Sequence, residues 1–350
     1  MSVAATERHN LRELFNVVDQ RTLIISGFGY FVGKKSERLI IKKKKKVIAQ
    51  YAMSNLDEII ITSRGASIST SLIKDACKRG IKICIWSDSY PNVMISSPQL
   101  AAFAEVKRAQ FAALDKEVGL NLVKKVLESK ISNQAALIKY SIKNKKARRT
   151  MHIIRYAHSI QHTLPLLNNV EGHNLAQARS QLLNIEATAA RAYWKAFASV
   201  LRPGCGFEAR DHESEDVVNI SINYGYAILY SLTWMSILNA GLEPFAGFLH
   251  TDRPGKPSLV LDLSEPFKPR IVDKVVLSII NRRQKITLED GMLSDESKKL
   301  LSSGVIAELE KKEYYSGKKL TMRSIIQSNI YSVANMLKGT GNYEKYLFKW

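Results

Sequence analysis

The change that decides the fold lies between residues 82 and 127, which read KICIWSDSYPNVMISSPQLAAFAEVKRAQFAALDKEVGLNLVKKVL. Up to Pro98, apolar residues come in short β-branched runs separated by Gly, Ser or Asp, a pattern typical of strands. From Gln99 onward, apolar residues recur at the spacing of a helix face. The sequence therefore predicts an α+β fold: a small β-rich N-terminal domain, residues 1–98, followed by a larger all-α domain, residues 99–350.

Individual elements follow from the same patterns. The strand-like runs are Thr22–Ser26, Arg38–Lys42, Glu58–Thr62 and Lys82–Trp86. Ser67–Arg79 predicts a helix that ends at Gly80 and completes a strand–helix–strand unit. Beyond the boundary, the predicted helices are Gln99–Leu127, Gln134–Ala147, Ala176–Leu201, Ser221–Ala240 and Val272–Asn281.

The charge of the chain points to a polyanionic partner. The sequence has 52 Lys and Arg against 32 Asp and Glu, a formal net charge of +20. Such an excess attracts nucleic acid or an anionic membrane face. A generally basic proteome is the alternative explanation.

Cysteine usage and hydropathy indicate the compartment. The three cysteines, Cys77, Cys84 and Cys205, form no CxxC or Cys/His pair, which argues for a reducing compartment and against structural zinc. No signal peptide is visible at the N-terminus. The longest apolar-leaning stretch, Ala227–Leu238, is too short to span a membrane. We expect a cytoplasmic protein with no membrane partner.

Glu186 stands on a helix face where a solvated role is hard to defend. Its neighbours at three and four residues are Leu182, Leu183, Ala189 and Ala190. No basic side chain lies within one turn to pair with it. A buried glutamate needs its charge satisfied, by a metal ion or by a distant Arg. The alternative is a glutamate at the edge of the apolar stripe, pointing to water.

His250 and two later carboxylates complete a candidate metal site. His250 ends an apolar run just before a turn, a position that can face a cleft, although a lone histidine is more often structural. Asp262 and Glu265 are three residues apart, and paired acids so close repel unless a cation lies near them. An acidic turn that caps the next helix is the alternative. Mixed oxygen and nitrogen donors suit Mn²⁺ or Mg²⁺.

These residues sit in runs that resemble a known family, the CRISPR-associated spacer integrase, the universal large protein of the adaptation machinery. The matching runs are IEATAARAYW at 185–194, DVVN at 216–219, YGYA at 224–227, GLEP at 241–244, GFLH at 247–250 and LVLDLSEPFKP at 259–269. The chain departs from the family at Val217, where a proline is frequent, and at residues 89–91, where a glycine is frequent. Both departures concern loop shape and not the metal set.

The resemblance implies an activity and a set of roles. Such proteins join the 3′-hydroxyl ends of a short prespacer duplex to a CRISPR repeat by transesterification, and act as endonucleases when water attacks. By this resemblance Glu186, His250 and Glu265 are ligands of Mn²⁺ or Mg²⁺, and Asp262 is a further catalytic acid beside them. The domain of residues 99–350 is then catalytic. Residues 1–98 are expected to form a homodimer, and a small ferredoxin-like CRISPR protein to bridge two dimers.

Double-stranded DNA requires phosphate contacts, and one basic stretch offers them. From Ser129 to Arg155 there is no acidic residue. We predict backbone contacts there and one contact nearer the metal; the residues are Lys145, Lys146, Arg148, Arg149 and Arg210. A solvated helical face is the alternative. The lysine run at 42–46 indicates an exposed edge or hairpin instead.

Three functions remain open from the sequence. The first is a metal-dependent DNA integrase and endonuclease of CRISPR adaptation. The second is a stand-alone structure-selective nuclease or transposase-like enzyme in repair or mobile elements, with the same site. The third is a non-catalytic architectural DNA-binding protein. The aromatic tail Tyr343–Trp350 is either a partner contact or a disordered end.

Overall fold

The computed structural model describes residues 17–18, 22–25, 28–62, 65–87, 90–95, 104–143 and 150–348. Two compact units divide the chain between Leu100 and Ala101. The predicted boundary after residue 98 falls in the segment 96–103, outside the described residues. Strands dominate before this segment and helices after it, so the predicted α+β fold class is confirmed.

In the described part of the first unit, two sheets and one α-helix surround a common core. One sheet has strand order β1-β2-β6-β8-β9 and the other β5-β4-β3-β7. Leu23, Val32, Leu39, Ile59 and Leu72 are completely buried together. The elements are β1 Val17–Val18, β2 Thr22–Ile25, β3 Tyr30–Lys35, β4 Arg38–Lys43, β5 Lys46–Ala52, β6 Glu58–Ile61, β7 Ala66–Ile68, α1 Thr70–Lys78, β8 Lys82–Ser87 and β9 Tyr90–Ile95.

The predicted strand–helix–strand unit is present in this part. Strands β6 and β8 are parallel neighbours, and α1 lies between them in the chain. The helix begins at Thr70, later than predicted, because Ala66–Ile68 pair with β3 as a strand. Ser69 caps the helix by accepting a hydrogen bond from the Leu72 amide.

The lysine run forms the turn of a hairpin, as the sequence indicated. Strands β4 and β5 pair antiparallel, and Lys44 and Lys45 connect them with φ values of 46° and 66°. Two consecutive left-handed residues are the conformation that matches the twist of a tight hairpin. The run is therefore explained by local structure.

Over its described residues, the second unit is mainly helical, with two small hairpins that the all-α prediction did not include. Both hairpins are antiparallel, and each joins one helix to the next. The elements are α2 Ala104–Ala113, α3 Glu117–Ile142, α4 Met151–Gln161, α5 Leu175–Val200, α6 Val217–Asn239, α7 Ser258–Ser264, α8 Lys274–Asn281, β10 Leu288–Glu289, β11 Met292–Leu293, α9 Asp295–Leu309, β12 Lys312–Tyr315, β13 Lys318–Thr321 and α10 Met322–Lys338. A π-helical turn, Pro269–Asp273, precedes α8.

The aromatic tail packs on its own unit, which neither sequence interpretation anticipated. Tyr343, Tyr346 and Phe348 are buried. Asn133 on α3 donates to the Tyr346 carbonyl and accepts from the Phe348 amide. Burial of three aromatic rings and two satisfied backbone groups accounts for the order of residues 343–348.

Candidate metal centre

Glu186 lies in the middle of α5 and is neutralised from another helix. Its side chain is only 17% exposed, and its Oε1 lies 2.5 Å from the ammonium Nζ of Lys130 on α3. Asn174 begins α5 by accepting a hydrogen bond from the Gln177 amide, which fixes the start of the helix. The charge that the local sequence leaves unpaired is thus balanced by tertiary packing.

Glu265 follows the last residue of α7 and meets the same ammonium. Its Oε2 lies 2.7 Å from Lys130 Nζ, and its Oε1 lies 2.6 Å from Lys268 Nζ. The Glu265 side chain is 8% exposed. Lys130 therefore joins the two carboxylates predicted as ligands, Glu186 and Glu265, at a single nitrogen atom.

Electrostatics keep these groups ionised inside the protein. Burial acts to raise the pKa of Glu265, but Lys130, Lys268 and His250 outweigh it and hold that pKa far below its usual value. Burial acts to lower the pKa of Lys130, and the carboxylates of Glu265 and Glu186 reverse this, so the pKa of Lys130 is raised. Charged carboxylates are the form that a cation requires.

Asp262 shapes the loop that carries His250. Its Oδ2 accepts hydrogen bonds from the amides of Phe248 and Leu249, at 2.6 and 3.0 Å. Its Oδ1 lies 3.1 Å from the His250 amide and 2.6 Å from the ring Nδ1 of His250. A carboxylate can only accept, so Nδ1 donates; in the neutral imidazole, the lone pair that can bind a ligand is then on Nε2.

Gly247 allows this loop to lie against the start of α7. A Cβ at Gly247 would come 2.5 Å from the Cβ of Ser258 and 2.8 Å from its backbone. No side chain fits at that distance, so glycine is required for the close approach. The approach is what brings the amides of residues 248–250 within reach of Asp262.

The four predicted site residues are thus distributed over two contacts. Glu186 and Glu265 meet at Lys130, while His250 pairs with Asp262 and interacts electrostatically with Glu265. Within the described part of the chain, no three His, Cys, Asp or Glu side chains converge as a ready metal site. Lys130 Nζ lies between the carboxylates of Glu186 and Glu265, 2.5 and 2.7 Å from their oxygens.

The residues nevertheless fit a hard divalent ion by the chemistry of their donors. The buried carboxylate of Glu265 and the half-buried one of Glu186 already hold a cation between them, and the imidazole of His250 belongs to the same electrostatic group. Carboxylate oxygen with one imidazole is a donor set for Mn²⁺ or Mg²⁺ and a poor one for structural zinc. Sequence reasoning did not assign Lys130 to the site, because no acidic residue lies three or four positions from it on its own helix.

Lys268 is a second basic residue that sequence reasoning did not assign. Its ammonium pairs with Glu265 and lies 4.7 Å from the ring centre of Tyr226 and 5.1 Å from that of Tyr230. Cation–π contacts of this length hold an ammonium in place. The spacing Glu265–Lys268, three residues on a helical turn, is the signal that could have found it.

Arg210 is close to this group but is engaged by structural partners. Its guanidinium donates to the side chains of Asn219 and Asn223, and it lies 5.7 Å from the Tyr226 ring centre. Asp216 caps α6 by accepting from the amides of Val218 and Asn219. The other predicted DNA contacts lie outside the described residues, and they are Lys145, Lys146, Arg148 and Arg149.

Comparison with solved structures identifies chains with the same fold. A casposase bound to integration product superimposes with a TM-score of 0.79 at 24% identity, and the match covers 94% of this chain and 94% of that one. A Cas6-RT-Cas1–Cas2 complex gives a TM-score of 0.77 at 17% identity, covering 96% of this chain and 37% of that one.

No described helix has both the length and the apolar character to cross a membrane.

Sequence comparison then defines the family. Residues 23–307 match the family model described as CRISPR associated protein Cas1. A CRISPR-associated endonuclease Cas1 1 from Archaeoglobus fulgidus is 31% identical over 347 residues, which covers 94% of this chain and 99% of that protein. The chain belongs to the Cas1 family, and the resemblance stated from its sequence is confirmed.

Proposed function

We propose that the protein is a divalent-metal-dependent DNA integrase and endonuclease that inserts short duplex DNA into a CRISPR array. The observation that carries the proposal is the meeting of the Glu186 and Glu265 carboxylates at one cation, beside His250. Membership of the Cas1 family and a relative named as an endonuclease support it. The casposase neighbour, named for its integration product, supports strand joining.

In this proposal Glu186, Glu265 and the Nε2 atom of His250 hold Mn²⁺ or Mg²⁺. Such an ion lowers the pKa of an attacking hydroxyl and neutralises charge on phosphate oxygens when bound. Asp262 fixes the tautomer and orientation of His250 through the Nδ1 hydrogen bond. Lys268, held by Glu265 and two tyrosine rings, keeps a positive charge beside the reacting phosphate.

The proposed reaction is a transesterification at phosphorus. The 3′-hydroxyl of the incoming duplex forms a new bond to a phosphorus atom of the repeat, and the bond from that phosphorus to its 3′ oxygen breaks. The proton of the attacking hydroxyl is released, and the leaving oxygen takes one up, so no nucleotide cofactor is needed. Water in place of the hydroxyl gives the endonuclease reaction.

We further propose the partners that the family resemblance implies. Double-stranded DNA is bound through phosphates by a chain of formal net charge +20, in the cytoplasm where the array lies. A homodimer forms through the β-rich domain of residues 1–98, and the domain of residues 99–350 is catalytic. A small ferredoxin-like partner joins two dimers. A CRISPR partner is supported by one solved neighbour, which is a Cas6-RT-Cas1–Cas2 complex.

The test is a strand-joining assay with a labelled short duplex and a supercoiled repeat plasmid, with and without Mn²⁺. We expect Glu186→Gln to reduce joining by at least about 100-fold, since it removes a charge that holds the ion. Duplex binding should fall less than about tenfold because phosphate contacts lie elsewhere. The exposed Glu208→Gln is the matched control and should join at the wild-type rate.

The same assay separates the competing functions. Duplex binding by the wild type with neither joined nor hydrolysed product would favour an architectural DNA-binding protein, and full joining by Glu186→Gln would exclude Glu186 from the metal site. Metal-dependent hydrolysis without any joined product would favour a stand-alone nuclease. Joining without preference for the repeat plasmid would favour the transposase-like function that the casposase neighbour represents.

A further inference from the structure

Lys130 is a buried lysine whose position the mechanism above does not explain. It lies within α3 with a side chain only 11% exposed. The residues one turn away on its own helix are Val126, Leu127, Asn133 and Gln134, so it has no acidic neighbour there. Within the described residues, its ammonium pairs only with Glu186 and Glu265, which come from two other parts of the fold.

The charges around Lys130 balance without a metal ion. Glu186 and Glu265 contribute two negative charges, and Lys130 and Lys268 contribute two positive charges. Asp262 is satisfied separately by His250 and three backbone amides. The carboxylates are therefore stable side by side inside the protein only because these ammonium groups are present.

A divalent ion cannot simply be added to this arrangement. An ion that contacts both Glu186 and Glu265 needs the space that Lys130 Nζ fills, 2.5 and 2.7 Å from their oxygens. Lys268 is held additionally by the rings of Tyr226 and Tyr230 and pairs with the other oxygen of Glu265. Lys130, which has no such further contacts among the described residues, is the cation that gives way.

We infer that Lys130 is a built-in counter-cation, which holds Glu186 and Glu265 together in the metal-free protein and is displaced when the catalytic ion binds. This inference rests on the metal site of the proposed function. Each binding event breaks two ion pairs and moves a buried ammonium, so Lys130 lowers the affinity for metal. In return it keeps the empty site folded. Lys130 is a positioning residue and touches no substrate.

The test is metal affinity and thermal unfolding of full-length Lys130→Met, in which a neutral side chain of similar length replaces the ammonium. We expect Mn²⁺ to bind at least about tenfold more tightly than to wild type, because the competing charge is gone. Without metal, we expect the melting temperature to fall by about 5 °C, since two buried carboxylates lose a shared partner. Mn²⁺ should then raise it by more than in wild type.

Controls make the outcome specific to Lys130. Lys125→Met, on the same helix but half-buried and away from the carboxylates, should bind Mn²⁺ as wild type does. A purely structural role for Lys130 predicts weaker metal binding in Lys130→Met, the opposite of our expectation. If Lys130→Met does not fold, Lys130→Arg is the test variant, because it retains the positive charge. An Mn²⁺ affinity no tighter than that of wild type then supports the inference. Tighter Mn²⁺ binding by Lys130→Arg refutes it.

Failure of this inference is distinguishable from failure of the proposed function. In one outcome, wild type and Lys130→Met bind Mn²⁺ with equal affinity, and Glu186→Gln abolishes binding in both. That result overturns the counter-cation role of Lys130 and leaves the metal site intact. No Mn²⁺ binding by wild type or Lys130→Met overturns the metal site itself. Binding that appears only in Lys130→Met supports the inference in its strongest form.

Discussion

Two ion networks in the helical unit are each centred on a buried cation, and they differ in the chemistry of that cation. In the carboxylate cluster (Lys130, Glu186, Glu265, Lys268), an ammonium joins two carboxylates. In the arginine network (Arg270, Glu308, Glu313, Lys274, Lys311), a guanidinium does so. Lys274 and Lys311 also pair with Glu308, at 3.2 and 2.7 Å.

The difference between these cations has a physical consequence. The planar guanidinium of Arg270 is 4% exposed, reaches Glu308 and Glu313 with separate N–H groups and lies 4.9 Å from the Phe348 ring centre. A metal ion cannot replace so many directed contacts. The ammonium of Lys130 is a single point charge between two oxygens, which an ion can replace. The arginine network is therefore suited to a structural role, and the carboxylate cluster to the exchange of its central ammonium for a metal ion.

Removal of Arg270 should have the largest effect on stability. Arg270→Met leaves Glu308 and Glu313 without their main partner in the interior, so we expect a loss of about 3 to 5 kcal/mol in the free energy of unfolding. Denaturant unfolding measures it. Added Mn²⁺ should not restore this loss, in contrast with Lys130→Met. Rescue of Arg270→Met by Mn²⁺ would erase the distinction between the networks.

A smaller effect is expected for Asp262, the residue that orients His250. Asp262→Asn should weaken Mn²⁺ binding by about 10- to 100-fold, because the amide no longer enforces the tautomer that leaves Nε2 free. Calorimetric titration with Mn²⁺ measures the change. The exposed Asp290→Asn serves as control. Unchanged affinity in Asp262→Asn would show that His250 is not a ligand.

Acid should weaken the carboxylate cluster in a defined direction. The pKa of Glu265 is lowered in the folded protein, so its contribution is complete above the ordinary value of 4.5 and is lost as the pH falls through the lower folded value. The slope for one group is at most about 1.4 kcal/mol per pH unit. Unfolding of wild type and Glu265→Gln between pH 5 and 3 measures it. A slope as steep in Glu265→Gln as in wild type would assign the effect to other groups.

The smallest effect on stability is expected for Lys274. Its replacement by Met should stabilise the protein, whereas Lys130→Met should destabilise it. Burial, with help from Arg270 and Lys311, lowers the pKa of Lys274 to about 7. The unfolded chain therefore binds the proton more tightly, and charging Lys274 at pH 6 costs folded-state stability, which its ion pair with Glu308 offsets only in part. We expect Lys274→Met to stabilise the protein by about 1 kcal/mol at pH 6 and by less at pH 9. Thermal unfolding at both pH values measures it, and destabilisation at pH 6 would contradict it.

Sequence reasoning succeeded where a signal is local. The change of hydrophobic period after Pro98 predicted the order of β-rich and helical parts. The local sequence leaves the charge of Glu186 unpaired and predicted a metal ion or a distant Arg beside it, whereas the structure places Lys130 there. Sequence reasoning failed where a residue acts through distant contacts. The run of residues 129–155 was interpreted as a basic surface, yet Lys130 within it is buried between two carboxylates.

The sequence alone determined the family and the α+β order, because both depend on residue types at fixed spacings along the chain. Only the tertiary structure decided that Lys130 lies at the meeting point of Glu186 and Glu265. Those residues are separated by 56 and 135 positions from Lys130, and the burial that forces charges to pair exists only after the helices pack.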